Sequence, residues 1–281
     1  MNETLESVLP TGDGAEGRLF EAMRYSILGG GKRLRPFVAI SCADLFNVPR
    51  DWSLRAGAAV ELVHTYSLVH DDLPAMDDDT LRRGQPTCHV RYDEATAILV
   101  GDAYQSLAFE ILTTPETHPD PGVRCRLVHA LATAIGGRGM ISGQMIDLAA
   151  ENRELDIREI TRLQQLKTGA LIGVSCEAGA ILAQAPDEAH TALRGYAHDL
   201  GLAFQIADDL LDNEGTEADL GKSVGKDVAA GKATFVSVLG ADRARRQAHL
   251  LVDQAIEHLD MFGDKANLLR DVARYMVERK N

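Results

Sequence analysis

Five carboxylates fall within nine residues of this chain, in the run His70-Asp71-Asp72-Leu73-Pro74-Ala75-Met76-Asp77-Asp78-Asp79. Like charges packed that closely repel, so they stay hydrated, take up protons or share a cation. Magnesium suits them, because it prefers oxygen ligands, keeps several waters and is commonly shared with substrate phosphates. A solvated helix end is the plainer reading of the same run, since charge clusters usually lie on the surface. A second run, Gln205-Ile206-Ala207-Asp208-Asp209-Leu210-Leu211-Asp212, shifts that balance. Asp208 and Asp212 are four apart and share one helical face, with Gln205 three residues before Asp208 on the same face. Two acid pairs, each ending a long apolar helix, match the general layout of bundles that hold metals between facing helices. Those bundles recruit a Glu-x-x-His motif, which neither run supplies, and oxygen-only ligation favours magnesium over iron.

Cations accompany both runs. Gly30-Gly31-Lys32-Arg33-Leu34-Arg35-Pro36 sets three positive side chains beside a glycine turn and a helix start. Both features suit a phosphate. Arg82 and Arg83 follow the first acid run, and Lys222, Lys226 and Lys232 dot a glycine-rich stretch after the second. Lys167-Thr168 lies inside a long apolar segment, an awkward place for a lone lysine. Each is weak evidence singly. Set beside acid clusters in an acidic protein, they point to a site for metal plus diphosphate.

The elements that must position these residues read as helices throughout. Apolar periodicity predicts helices over 19–28, 36–46, 52–70, 93–112, 122–149 with a soft break at Gly136-Gly137, 156–183, 187–211, 242–261 and 265–278. Residues 213–232 are charged and glycine-rich and read as a closing loop. No linker divides the series, so the expectation is an all-α single-domain bundle of long helices around a central cavity. It spans residues 1–281, with 1–15 a flexible start. Against 42 Asp+Glu stand 29 Lys+Arg, a net charge of −13, which argues against nucleic acid as a partner. No apolar run is long enough to span a bilayer, and the start has neither a basic end nor an apolar signal core. A cytoplasmic location follows as the expectation. Four cysteines without a CxxC pair read as reduced thiols.

In their order along the chain these motifs resemble the trans-isoprenyl diphosphate synthase family, most closely its bacterial farnesyl diphosphate synthase members. The resemblance runs from about Phe20 to Arg279. It rests on the basic motif at 30–36, the stretch from Leu68 to His89, the run from Phe204 to Asp212, and Gly221-Lys222 with Gly231-Lys232-Ala233-Thr234. It implies the isoprenoid synthase fold, a homodimer, prenyl diphosphate substrates and three magnesium ions. Asp71 and Asp77 would be ligands on one side, with Asp72 nearby. Asp208 would be the principal ligand on the other, supported by Asp209 and Asp212. Arg82, Lys167 and Lys222 would contact the allylic diphosphate, with Lys232 in the same lysine loop. Lys32, Arg35, His64 and Arg83 would hold isopentenyl diphosphate without metal. Thr168, Gln205 and the Lys167 carbonyl would stabilise an allylic cation, and the released diphosphate would take the final proton. Tyr66 and Ser67, with the two residues Pro74-Ala75 inserted in the first motif, would set the product at fifteen carbons.

Other readings stay open at this point. A synthase of geranyl or geranylgeranyl diphosphate differs only at the cavity floor, and Tyr66 could be a plain core aromatic. A terpene cyclase would not need Lys32, Arg35 or the second acid run. A non-catalytic subunit would not need to keep both runs. A metal-buffering interaction protein would leave the ordered cations without purpose.

Overall fold

Helices carry almost all of the described chain in the computed structural model, which covers residues 1–150, 153, 155–214 and 234–278. In chain order they are α1 (Asn2–Val8), α2 (Gly17–Leu28), α3 (Leu34–Asp44), α4 (Arg50–Asp71), α5 (Cys88–Arg91), α6 (Glu94–Thr113), α7 (Pro121–Ile135), α8 (Met140–Ala149) and α9 (Ile157–Gln164). A π turn (Gln165–Gly169) leads into α10 (Ala170–Leu182), followed by α11 (Asp187–Glu214), α12 (Phe235–Leu239), α13 (Ala241–Glu257), a 3-10 turn (Asp260–Ala266) and α14 (Asn267–Glu278). The strands described are two residues each, Leu81–Arg82 paired antiparallel with Gln85–Pro86. No helix among the described residues is long and apolar enough to cross a membrane. All four cysteines are free thiols.

The chain divides into two compact units, Met1–Ile40 with Pro49–Val128, and Ser41–Val48 with His129–Asn281. In the first, α4 packs along α6. Small residues on α4 (Ala56, Ala58, Ala59) let the helices approach, and Leu62, Val63, Val100 and Tyr104 fill the seam, all buried. Each such large apolar side chain contributes about 1.5–3 kcal/mol. Asp93 caps α6 by accepting from the Thr96 amide at 2.7 Å. Residues 2–8 form α1, and Leu5 and Leu9, one turn apart, are both buried.

In the second unit α11 packs against α10 and α13. Its buried stripe includes Leu193, Tyr196, Leu200 and Ile206, and the Tyr196 hydroxyl donates to the Leu269 carbonyl at 2.9 Å. The stretch expected as one helix over 156–183 is two helices joined by the π turn. A capping box at Asp156 and Glu159 starts it. The soft break expected at Gly136-Gly137 is the gap between α7 and α8.

Candidate active site

In the first unit α4 delivers the acid run at its C-terminal end. The chain then doubles back, so that the Asp77 amide donates to the Asp71 carbonyl at 2.8 Å. That closure sets Asp71 and Asp77 side by side although six positions separate them. Asp72 behaves differently. It is 2% exposed, and it takes Arg82 in a fork, Nε at 2.9 Å from Oδ2 and Nη2 at 2.5 Å from Oδ1. Burial raises the Asp72 carboxyl, and the Arg82 hydrogen bond opposes the shift. Its carboxylate is spent on orienting Arg82, whereas Asp71 is half-buried and Asp77 exposed. Arg82 reaches Asp72 from the short hairpin, whose two-residue turn Arg83-Gly84 has positive φ at both positions (54° and 76°). That is the I′ geometry matched to strand twist.

The basic motif lies beside the same helix. Arg35 Nη1 is 3.2 Å from His64 Nε2. A guanidinium only donates, so Nε2 accepts and the proton sits on Nδ1. Burial first, then the charges of Arg35, Arg83, Arg82 and Arg33, hold the His64 imidazole well below its usual range, so it is neutral near pH 7. The Arg83 guanidinium donates to the Gly30 carbonyl and covers Gly31, where an added Cβ would meet it at 2.5 Å. Arg33, read as one of three phosphate-facing cations, turns inward instead. Its Nη1 meets the Glu61 carboxylate at 2.6 Å, its Nη2 donates to the Ile27 carbonyl, and its Nε donates to Asn2 at 3.2 Å. Tyr66 is buried, its ring edge-on to His70 at 5.8 Å, and burial pushes its phenol up to about 12. The Ser67 hydroxyl donates back to the His64 carbonyl at 2.9 Å.

In the second unit the π turn carries Lys167 and Thr168. Turns of this kind insert one extra residue and recur at functional sites. Lys167 Nζ pairs with Asp147 Oδ2 on α8 at 2.6 Å. The two backbones touch here: a Cβ on Gly143 would stand 2.2 Å from the Lys167 amide nitrogen. Only glycine permits that approach. Gln205, Asp208, Asp209 and Asp212 follow on α11. Asp209 is buried and accepts from the Phe235 amide at 2.8 Å, so it anchors the start of α12. Asp208 and Asp212, one turn apart, share a face of α11, and Asp212 is buried as Asp209 is. Lys222 and Lys232 lie outside the described residues.

Sequence reasoning missed Glu61, Asp147 and Gly143. The first two carry a signal, each an acid set among apolar residues of its helix, the counterpart of Lys167. Among the described residues no three acid, histidine or cysteine groups converge on one point that could hold a metal. Asp71 and Asp77 offer only oxygen donors, which suits magnesium completed by water and substrate phosphate oxygens.

Residues 16–272 match the Polyprenyl synthetase family. The chain belongs to this family. The chain is 44% identical over 267 residues to a farnesyl diphosphate synthase of Escherichia coli, covering 92% of this chain and 88% of that protein. It is 40% identical over 284 residues to a farnesyl diphosphate synthase of Haemophilus influenzae, covering 100% and 95%. A ligand-free crystal structure described as an FPP/GFPP synthase of Zymomonas mobilis superposes with a TM-score of 0.91 at 52% identity, over 98% of this chain and 94% of that one. This family member is a prenyltransferase with the all-α isoprenoid synthase fold. Prenyl synthases of the family are generally magnesium-dependent.

Proposed function

We propose that the protein joins isopentenyl diphosphate head to tail with dimethylallyl or geranyl diphosphate, giving (2E,6E)-farnesyl diphosphate. The observation that carries the reading is the closure from Asp77 back to Asp71, which brings these two aspartates together one residue from the Asp72–Arg82 fork. The full-length likeness to farnesyl diphosphate synthases supports it.

Asp71 and Asp77, and in the other acid run Asp208 with Asp212, would ligate magnesium, three ions in all, and Asp209 would support them through its hold on α12. Magnesium neutralises charge as it builds on a departing diphosphate. Arg82, held by Asp72, and Lys167 with Lys222 and Lys232 bind the allylic diphosphate and add fixed positive charge where the leaving group's charge develops. Lys32, Arg35, Arg83 and the neutral His64 bind isopentenyl diphosphate. Thr168, Gln205 and the Lys167 carbonyl face the allylic cation with oxygen dipoles. The double bond of isopentenyl diphosphate attacks that cation, and the released diphosphate takes the proton lost afterwards. Tyr66 and Ser67 limit the length of the tail.

A cytoplasmic homodimer is the setting this reading implies. Ile98 and Leu99, exposed side by side on α6, and Ile141 and Met145, exposed one turn apart on α8, are apolar surface that a second copy would cover. The name of the Zymomonas relative favours a second reading, the same chemistry with products longer than farnesyl.

The test is incubation with labelled isopentenyl diphosphate and dimethylallyl or geranyl diphosphate, with magnesium and then with a chelator. Farnesol after dephosphorylation, lost on chelation, is expected. Longer alcohols would move the product assignment, and hydrocarbon formed from one prenyl diphosphate alone would sink the synthase reading.

A further inference from the structure

Arg33 stands in the left-handed region at φ 50°, directly after Gly30 and Gly31 at 119° and 124° with Lys32 between. For a long side chain that conformation is costly and persists only where the surroundings enforce it. Glu61 is 2% exposed and meets Arg33 at 2.6 Å. The second arm of the guanidinium is taken by the Ile27 carbonyl, at the last turn of α2. Glu61 and His64 are three residues apart and share a face of α4. Arg33 to Glu61 and Arg35 to His64 are therefore successive rungs between the basic motif and one helix.

We propose that Arg33 and Glu61 are positioning residues for the isopentenyl diphosphate half of the reaction. Their ion pair fixes the backbone register of residues 30–35, and so where Lys32 and Arg35 stand relative to His64 and Arg83. Neither touches substrate. Glu61 is also the buried counter-charge in a neighbourhood that gathers Arg33, Arg35, Arg82 and Arg83 around His64. A planar fork is required, because one group must serve a carboxylate and a carbonyl at once. The inference rests on the reading of Lys32, Arg35, His64 and Arg83 given above.

The decisive variant is the double substitution Arg33→Met/Glu61→Leu, which leaves no orphaned buried charge. The expected result is a folded protein whose KM for isopentenyl diphosphate rises about tenfold or more, while KM for geranyl diphosphate stays within about twofold, since small misplacements cost large factors only where they occur. A merely structural pair would leave both KM values alone once folding is restored, and that result overturns the proposal. So does an equal loss for both substrates. Should the double variant not fold, Arg33→Lys keeps the charge but cannot bridge Glu61 and Ile27. A several-fold rise in KM for isopentenyl diphosphate is then expected, and a folded Arg33→Lys with the wild-type KM overturns the proposal. Wild-type protein that elongates no starter fails the functional reading. Active wild type with unchanged variants fails this inference alone.

Discussion

Lys167 Nζ stands 2.6 Å from Asp147 Oδ2, and both side chains are largely withdrawn from water. The lysine proposed to meet the allylic diphosphate is thus held in place by a carboxylate. Removing that carboxylate leaves the ammonium half-buried and alone. Asp147→Asn is expected to lower stability by about 1–3 kcal/mol and kcat/KM for geranyl diphosphate about 10–100-fold. Urea unfolding and steady-state kinetics check both. An unchanged kcat/KM would remove Lys167 from the allylic site.

Gly143→Ala forces a methyl into the Lys167 backbone, since the Cβ would lie 2.2 Å from its nitrogen. The π turn must shift, at about 1–3 kcal/mol for overpacking. Because Lys167 and Thr168 shift with it, kcat is expected to fall about 10²-fold. Thermal unfolding and single-turnover rates measure the two effects separately. Full activity in this variant would mean that the turn does not position the chemistry.

His64 titrates differently folded and unfolded. Its folded imidazole resists the proton through burial and the surrounding guanidinium charges, whereas in the unfolded chain it takes one up near about 6.5. Falling pH therefore favours the unfolded state from about 6.5 downwards, and stability is lost in that direction. His64→Gln lacks this term. Between pH 7.5 and 5.5 wild type should lose about 1 kcal/mol more than the variant. Denaturant midpoints at both pH values decide it, and parallel losses would contradict the neutral assignment.

Asp71→Asn and Asp77→Asn are expected to lower kcat about 10²–10³-fold at saturating magnesium, as loss of a metal-held charge does. Asp72→Asn should act through Arg82 and chiefly raise KM for the allylic substrate. Magnesium titration of each variant separates these outcomes. A wild-type magnesium dependence in Asp77→Asn would exclude Asp77 as a ligand.

Tyr66→Ala opens space beside His70, to which the ring now stands edge-on at 5.8 Å. Products longer than fifteen carbons are expected, with the condensation rate within about tenfold. Unchanged products would make Tyr66 a core aromatic only.

Much of this arrangement was legible in the residues. Periodicity located the long helices, Asp93 announced α6, and both acid runs stand at the ends of α4 and α11. The π turn was not legible, because one extra residue in an apolar helix leaves the 3.6 pattern nearly intact. The hairpin at 81–86 was missed since two-residue strands are too short to alternate. Three adjacent cations gave no sign which one points inward. That depends on a backbone angle at Arg33 and on Glu61, 28 positions away. Asp72 and Asp209 resemble their neighbours in sequence, yet Asp72 takes Arg82 and Asp209 takes the Phe235 amide, contacts set by where the chain folds back rather than by local sequence.

The short helix at the chain's start has a practical reach. Asn2, its first residue, accepts from Arg33 at 3.2 Å, and Leu5 locks the helix down. The opening turn thus braces the loop that carries Lys32 and leads into α3, where Arg35 stands. A fusion or trimming that unwinds residues 2–8 is expected to register as a weakened grip on the five-carbon acceptor, so enzymological comparisons between preparations are meaningful only when that end of the polypeptide is the same in each.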